Sequence, residues 1–145
     1  MVGNPSFDLQ QIDDIIMRDN SELLVQVSRQ LGQYLAQGGL TTHQLRNLFG
    51  EVRRIAMELE QAALEEGSGS SIRPATWRRI LLLRPRMAYQ ASRIQRRDNP
   101  MLRLVEVLDR AIERIERNPE RFRRFADFVE AIVAYHRYFQ TYRGS

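Results

Sequence analysis

The sequence contains no cysteine and no lysine, and it has only two histidines. The absence of cysteine excludes disulfide bonds, thiolate zinc sites and thiol nucleophiles. The N-terminus lacks the basic and then apolar pattern of a signal peptide. The longest apolar runs, at 80–83 and 131–135, are far shorter than the roughly 20 residues of a membrane span. We therefore expect a soluble cytoplasmic protein with no membrane partner.

Side chains that carry out catalysis or bind metals are scarce and poorly placed. His43 and His136 have no second histidine or cysteine at the spacing of a zinc site. Adjacent carboxylates, such as Asp13 and Asp14, do not face each other on a helix. No serine or threonine can be placed beside a base, and there is no glycine-rich phosphate loop. We predict a protein that is not an enzyme and has no catalytic residue, metal site or cofactor.

Helical periodicity runs through most of the chain, and no segment alternates as a strand does. A chain of 145 residues buries enough surface to fold without a disulfide or a metal. These features predict an all-α fold, with residues 1–145 forming a single compact bundle of about five helices. The helices are expected to begin at or beside five residues, each a capping residue or a first-turn proline: Ser21, Thr41, Pro74, Pro100 and Pro119.

Three segments interrupt the helical pattern. Residues 1–20 carry several aspartates around a few isoleucines, and we interpret them as a loose arm. Residues 66–73 are rich in glycine and serine and predict a flexible loop. Pro85 has no amide hydrogen for the helical ladder, so the third predicted helix should break near Pro85.

Positive charge is concentrated in one part of the chain. Residues 67–97 contain eight arginines and no acid, while the net charge of the whole chain is only +4. Residues 1–66 hold ten acids against five arginines, and residues 98–145 hold eight acids against nine arginines. A localised charge of this kind indicates a polyanionic partner. Arginine suits bidentate phosphate contacts, although codon bias explains the complete absence of lysine equally well.

The basic segment predicts a surface that follows a phosphate backbone. No base-reading module is present, so the contacts should be to backbone and shape. Tyr89 lies among the arginines and would stack on a base or, alternatively, pack half-buried. A second interpretation is that the arginines pair with acids of the same molecule, such as Glu58 and Glu66. The candidate residues of this segment are Arg78, Arg79, Arg84, Arg86, Tyr89, Arg93 and Arg97.

Four segments resemble the small subunit of the type III-A CRISPR (Csm) effector complex. They are LTTHQLR at 40–46, VRRI at 52–55, LLRPRMAYQASR at 82–93 and FADFVEAIVAYH at 125–136. The resemblance extends over about residues 20–140. It implies a non-catalytic, all-helical subunit whose copies stack into an inner filament and contact the crRNA–target RNA duplex. Cutting would belong to other subunits.

The resemblance also implies partners and adds residues to the RNA-binding set. The partners are crRNA and target RNA, contacted through their backbones, together with other Csm subunits and copies of the chain itself. The charged face of the fourth predicted helix and the aromatic end of the fifth are candidates for subunit contacts. The alternative is a purely structural helical adaptor whose basic face binds acidic protein surfaces. The family's basic positions correspond to Arg46, Arg53, Arg54, Arg84, Arg86 and Arg93.

Overall fold

The computed structural model describes residues 7–67 and 70–142. These ranges contain six α-helices and no strand, and none of the six is long and apolar enough to cross a membrane. The all-α prediction is confirmed, and the predicted number of about five helices was one too low. The assignment of residues 1–145 to a single domain stays a prediction. The helices are α1 (Gln10–Arg18), α2 (Ser21–Gln37), α3 (Thr42–Glu66), α4 (Pro74–Ser92), α5 (Met101–Glu113) and α6 (Pro119–Thr141).

The additional helix is α1, so the prediction of a loose arm is wrong for residues 10–18. Ile12, Ile15 and Ile16 are fully buried, and α1 packs against α2, α5 and α6. Arg124 of α6 donates a hydrogen bond to the carbonyl oxygen of Ile16 at 3.1 Å, which satisfies a free acceptor at the helix end. Residues 1–6 of the predicted arm lie outside the described ranges.

The acidic side of α1 is neutralised by α5. Asp13 accepts hydrogen bonds from Arg110 at 2.8 and 2.9 Å and from Arg114 at 2.9 Å. The pKa of the Asp13 carboxyl is lowered, chiefly by the Arg110 hydrogen bond, while burial acts in the opposite direction. Asp13, one of the aspartates that made residues 1–20 look unsuited to a core, therefore has its partners about a hundred positions away in the chain.

We predict that Asp13→Asn lowers the melting temperature by a few degrees, because it leaves two arginines without their carboxylate. The pKa of Asp13 is lower in the folded state than in the unfolded state. The contribution of its carboxylate to the free energy of unfolding is therefore complete above the unfolded-state pKa. It is lost as the pH falls through the folded-state pKa, so the difference between the variant and the wild type should begin to narrow only below about pH 4 and should vanish below the folded-state pKa. Thermal melts across pH test this. Asp14→Asn is the matched control, since the one ion pair of Asp14 within residues 7–67 and 70–142 is with exposed Arg18 of the same helix. An equal loss in the control would contradict the prediction.

Three of the predicted helix starts, those of α2, α3 and α6, are confirmed by side-chain caps. The Asn20 side chain accepts a hydrogen bond from the amide of Leu23 at 3.1 Å, and Asn118 likewise caps α6. At the start of α3, Thr41 and Gln44 form a reciprocal capping box with bonds of 3.2 and 2.8 Å. Each of these signals is local in sequence, which is why sequence patterns located them well.

The third predicted helix does not break at Pro85, so this prediction is wrong. Helix α4 continues through Pro85 and ends at Ser92. Because proline has no amide hydrogen, the carbonyl oxygen of Leu81 lacks its usual helical hydrogen bond from residue 85. Pro85 and Leu81 are both exposed, so water can bond this oxygen instead. Beyond the C-cap residue Arg93, the side-chain nitrogen of Asn99 donates to the carbonyl oxygen of Ala91 in the last turn at 2.8 Å. Asn99 also accepts from the amide of Met101 and so joins α4 to α5.

The connection between α3 and α4 is anchored at its described end. Ile72 is buried, and its amide donates to the carbonyl oxygen of Arg117 at 2.9 Å. The Arg117 guanidinium donates back to the carbonyl oxygen of Ile72. Glu66 belongs to α3, and residues 68 and 69 lie outside the described ranges, so the predicted flexibility of residues 66–73 stays a prediction.

Candidate nucleic-acid interface

The basic residues of α4 do not form one face. Successive residues of an α-helix are about 100° apart around its axis, so Arg84 and Arg86 project from opposite flanks. Arg84 faces α5, where it donates to Asp109 at 3.0 Å and to Glu113 at 3.3 Å. Arg86 faces α3, and its guanidinium lies 3.9 Å from the carboxylate of Glu51. Arg84 and Arg86 therefore do not lie on one face of α4, and RNA binding by Arg84 stays a prediction.

Residues from α3 and α4 line a groove between the two helices. It consists of two adjoining cavities of about 200 and 290 Å³, which share Asn47 and Gln90 in their walls. The α3 residues at 47, 51 and 54 repeat at intervals of four and then three, and so do residues 86, 90 and 93, the last of which directly follows the end of α4. Each set therefore follows one helix face. The polar and charged residues of this α3–α4 groove are His43, Gln44, Asn47, Glu51, Arg54, Arg86, Gln90 and Arg93.

The guanidinium groups of the groove point to solvent. The side chains of Arg54 and Arg86 are 65% and 64% exposed. Arg93 is exposed, and within the described ranges it forms no ion pair; its guanidinium lies 5.9 Å from the ring centre of Tyr89. Tyr89 is itself 64% exposed. The interpretation of Tyr89 as half-buried packing is therefore wrong, and the ring is accessible for stacking.

Glu51 lies on the floor of this surface and is only 14% exposed. It accepts hydrogen bonds from Arg54 at 2.9 Å and from Arg79 at 2.8 Å. The pKa of the Glu51 carboxyl is lowered, chiefly by the Arg79 hydrogen bond, although burial acts in the opposite direction. Arg79 also contacts Glu58. Three arginines, Arg54, Arg79 and Arg86, therefore lie against two carboxylates, and this cluster keeps a net positive charge.

Intramolecular pairing accounts for several arginines of the basic segment, as the second interpretation of the sequence proposed. Arg79 and Arg84 are held by carboxylates, as described above, and Arg73 pairs with Glu66 at 2.8 Å. Arg96 donates to the carbonyl oxygen of Gly38 at 2.8 Å. Elsewhere in the same segment, Arg78 and Arg97 form no ion pair with any residue of 7–67 or 70–142.

The other predicted residues lie outside the α3–α4 groove. Arg46 and Arg53 are seven positions apart and align on a neighbouring strip of α3, about 100° around the helix from Arg54. Arg53 lies over the ring of Phe49, with its guanidinium 5.7 Å from the ring centre. Arg78 lies on the outer face of α4. Arg97 lines a separate, wide groove of about 1030 Å³ between the end of α2 and the start of α5.

The two histidines lie in different surroundings. Nε2 of His136 lies 2.6 Å from the carbonyl oxygen of Leu40 and so carries the proton. Burial lowers the pKa of His136, while this hydrogen bond acts in the opposite direction. His136 is thus a packed core residue, whereas His43 is exposed at the groove. Residues 7–67 and 70–142 contain no group of three or more histidines and carboxylates able to hold a metal ion.

The fold and the groove define a small, all-helical protein with an arginine-lined surface. The family model described as Csm2 Type III-A matches residues 18–142, and the chain therefore belongs to that family, the small subunit of the type III-A Csm complex. This confirms the resemblance seen in the sequence. The family is one of structural subunits, which associate with other Csm subunits and with copies of themselves. No curated protein and no solved structure matches the chain.

Proposed function

We propose that this subunit binds the crRNA–target RNA duplex through its phosphate backbone, at the α3–α4 groove, without reading the sequence. The observation that carries the proposal is the convergence on one groove of Arg54 from α3, Arg86 from α4 and Arg93 from directly after α4. The paired N–H donors of an arginine guanidinium group match the geometry of phosphate oxygens. Two helices packed against each other hold these guanidinium groups at fixed separations, as binding to a regular RNA backbone requires.

The uncharged groove residues suit an RNA duplex. Asn47 and Gln90 lie between the arginines and offer both donors and acceptors. An A-form duplex presents 2′-hydroxyl groups along its shallow minor groove, and these groups are recognised by polar side chains without regard to sequence. The strip formed by Arg46 and Arg53 on α3 extends the basic surface beyond the groove for a longer RNA.

We further propose that the subunit helps to assemble the inner filament through the aromatic end of α6. Tyr138 and Tyr142 are exposed there, with ring centres 5.2 Å apart. The charged face of α5 is a weaker candidate than the sequence indicated. Some arginines of α5 form ion pairs with Asp13, and some of its acids form ion pairs with Arg84. Much of the charge on this face is therefore already paired within the subunit.

Binding of the purified chain to a short duplex RNA across a range of salt concentrations tests the RNA proposal. Three phosphate contacts should give a slope of log K against log salt of about −2 to −3. Duplexes of unrelated sequence should bind equally well. A flat salt dependence, or equal binding to duplex RNA, single-stranded RNA and heparin, would instead favour the structural adaptor that binds acidic protein surfaces.

A further inference from the structure

We infer that Glu51 is a positioning residue of the α3–α4 groove: it fixes the guanidinium groups of neighbouring arginines so that they can meet phosphate oxygens. The inference rests on the proposed RNA binding and extends it. A carboxylate in a phosphate-binding groove should repel the ligand, so its presence there needs a physical reason. The contacts of Glu51 supply that reason.

Each carboxylate oxygen of Glu51 serves a different helix. Oε2 accepts from Nε of Arg54 at 3.3 Å and from its Nη2 at 2.9 Å, within α3. Oε1 accepts from Nη2 of Arg79 at 2.8 Å and lies 3.9 Å from Nη1 of Arg86, both on α4. One side chain therefore hydrogen-bonds a guanidinium group on each of the two helices and lies within ion-pair distance of a third.

The arrangement covers the carboxylate and leaves the arginines accessible. Glu51 is largely buried beneath the groove surface, whereas Arg54 and Arg86 remain mostly exposed. A bound phosphate would meet the guanidinium groups before the carboxylate. An ordinary surface ion pair of this protein, Asp14 with Arg18, joins one acid to one arginine within a single helix and holds nothing across elements.

Positioning has a thermodynamic consequence for binding. A free arginine side chain loses rotamer freedom when it binds a phosphate, and this loss weakens the complex. An arginine already held by Glu51 has lost part of that freedom on folding. The benefit of pre-organised arginines can then exceed the repulsion from one shielded negative charge.

The substitution Glu51→Gln separates positioning from simple electrostatics, because the two effects have opposite signs. It keeps the shape of the side chain and adds one unit of positive charge to the protein. Long-range electrostatics alone therefore predicts tighter RNA binding. Positioning predicts that affinity for duplex RNA falls roughly five- to tenfold. Positioning also predicts that the slope of log K against log salt becomes smaller in magnitude, by at most about the contribution of one phosphate contact.

Glu60→Gln is the matched control. Glu60 is an exposed residue of the same helix, and within 7–67 and 70–142 it forms no ion pair. The control makes the same change in net charge and should bind RNA as well as the wild type or slightly better. If Glu51→Gln binds as the control does, the positioning role is refuted while RNA binding stands. If the wild type shows no salt-dependent binding, both the proposed function and this inference fail.

Circular dichroism melts establish that each variant is folded at the assay temperature. Should Glu51→Gln be unfolded there, Glu51→Asp replaces it, since aspartate keeps the charge but shortens the reach by one methylene. Weaker RNA binding by a folded Glu51→Asp, at unchanged net charge, supports positioning. Wild-type affinity and slope in that variant overturn it.

Discussion

Replacing Arg54, Arg86 and Arg93 together with alanine should lower the affinity for duplex RNA on the order of 100-fold. Three lost phosphate contacts at about 1 kcal/mol each correspond to roughly two decades in Kd. The salt slope should fall in magnitude by about 2 to 3, because each contact releases its share of condensed counterions. The loss should be the same for duplexes of different sequence, since backbone contacts carry no sequence information.

The matched control for this variant is a triple alanine substitution elsewhere on the surface, at Arg18, Arg123 and Arg137. These residues lie on α1 and α6, and in the described part of the chain the first two pair with Asp14 and Glu120, which are four and three positions away. Both triple variants change the net charge by the same amount. The control should lose only a few-fold in affinity and keep the slope. Equal losses in the two variants would mean that RNA responds to total charge and that the α3–α4 groove is not the binding surface.

Sequence reasoning located the helices whose ends carry their own signals. The capping box of Thr41 and Gln44 and the asparagine caps at Asn20 and Asn118 act within four residues, so a local pattern contains all the information. It failed for α1, because the burial of its isoleucines depends on α5 and α6. It also failed at Pro85, where the missing hydrogen bond falls on a solvent-exposed side of the helix.

The candidate site, like the fold, could be predicted from the sequence only in part. The basic segment of α4 was evident from its charge, but sequence gave no information on which carboxylates lie beside each arginine. Arg84 is paired with α5, whereas Arg86, two positions later, borders the groove. The intervals of four and three in both α3 and α4 are visible in the sequence. What could not be predicted is that these two faces are opposite each other, because this depends on the packing of the helices.

A second large effect is expected in the core, at the contact between α2 and α6. Gly32 is buried there, and a Cβ at this position would lie 2.8 Å from the backbone nitrogen of His136 and 2.7 Å from Cβ of Tyr135. Backbone atoms of a packed helix cannot move aside as the end of a long side chain can. Gly32→Ala should therefore reduce the free energy of unfolding by about 1–3 kcal/mol, as overpacking does, measured by urea denaturation.

Gly50→Ala provides a control with the opposite sign. Gly50 lies in α3, where an added Cβ would meet only the guanidinium of Arg54, at 3.8 Å. Alanine is favoured over glycine in a helix by about 0.5–1 kcal/mol, so this variant should be more stable than the wild type. The same chemical change is thus stabilising in one helix and destabilising in another, and only the distance to α6 distinguishes the two sites. If Gly32→Ala were also stabilising, α2 and α6 could not be packed as closely as the structure places them.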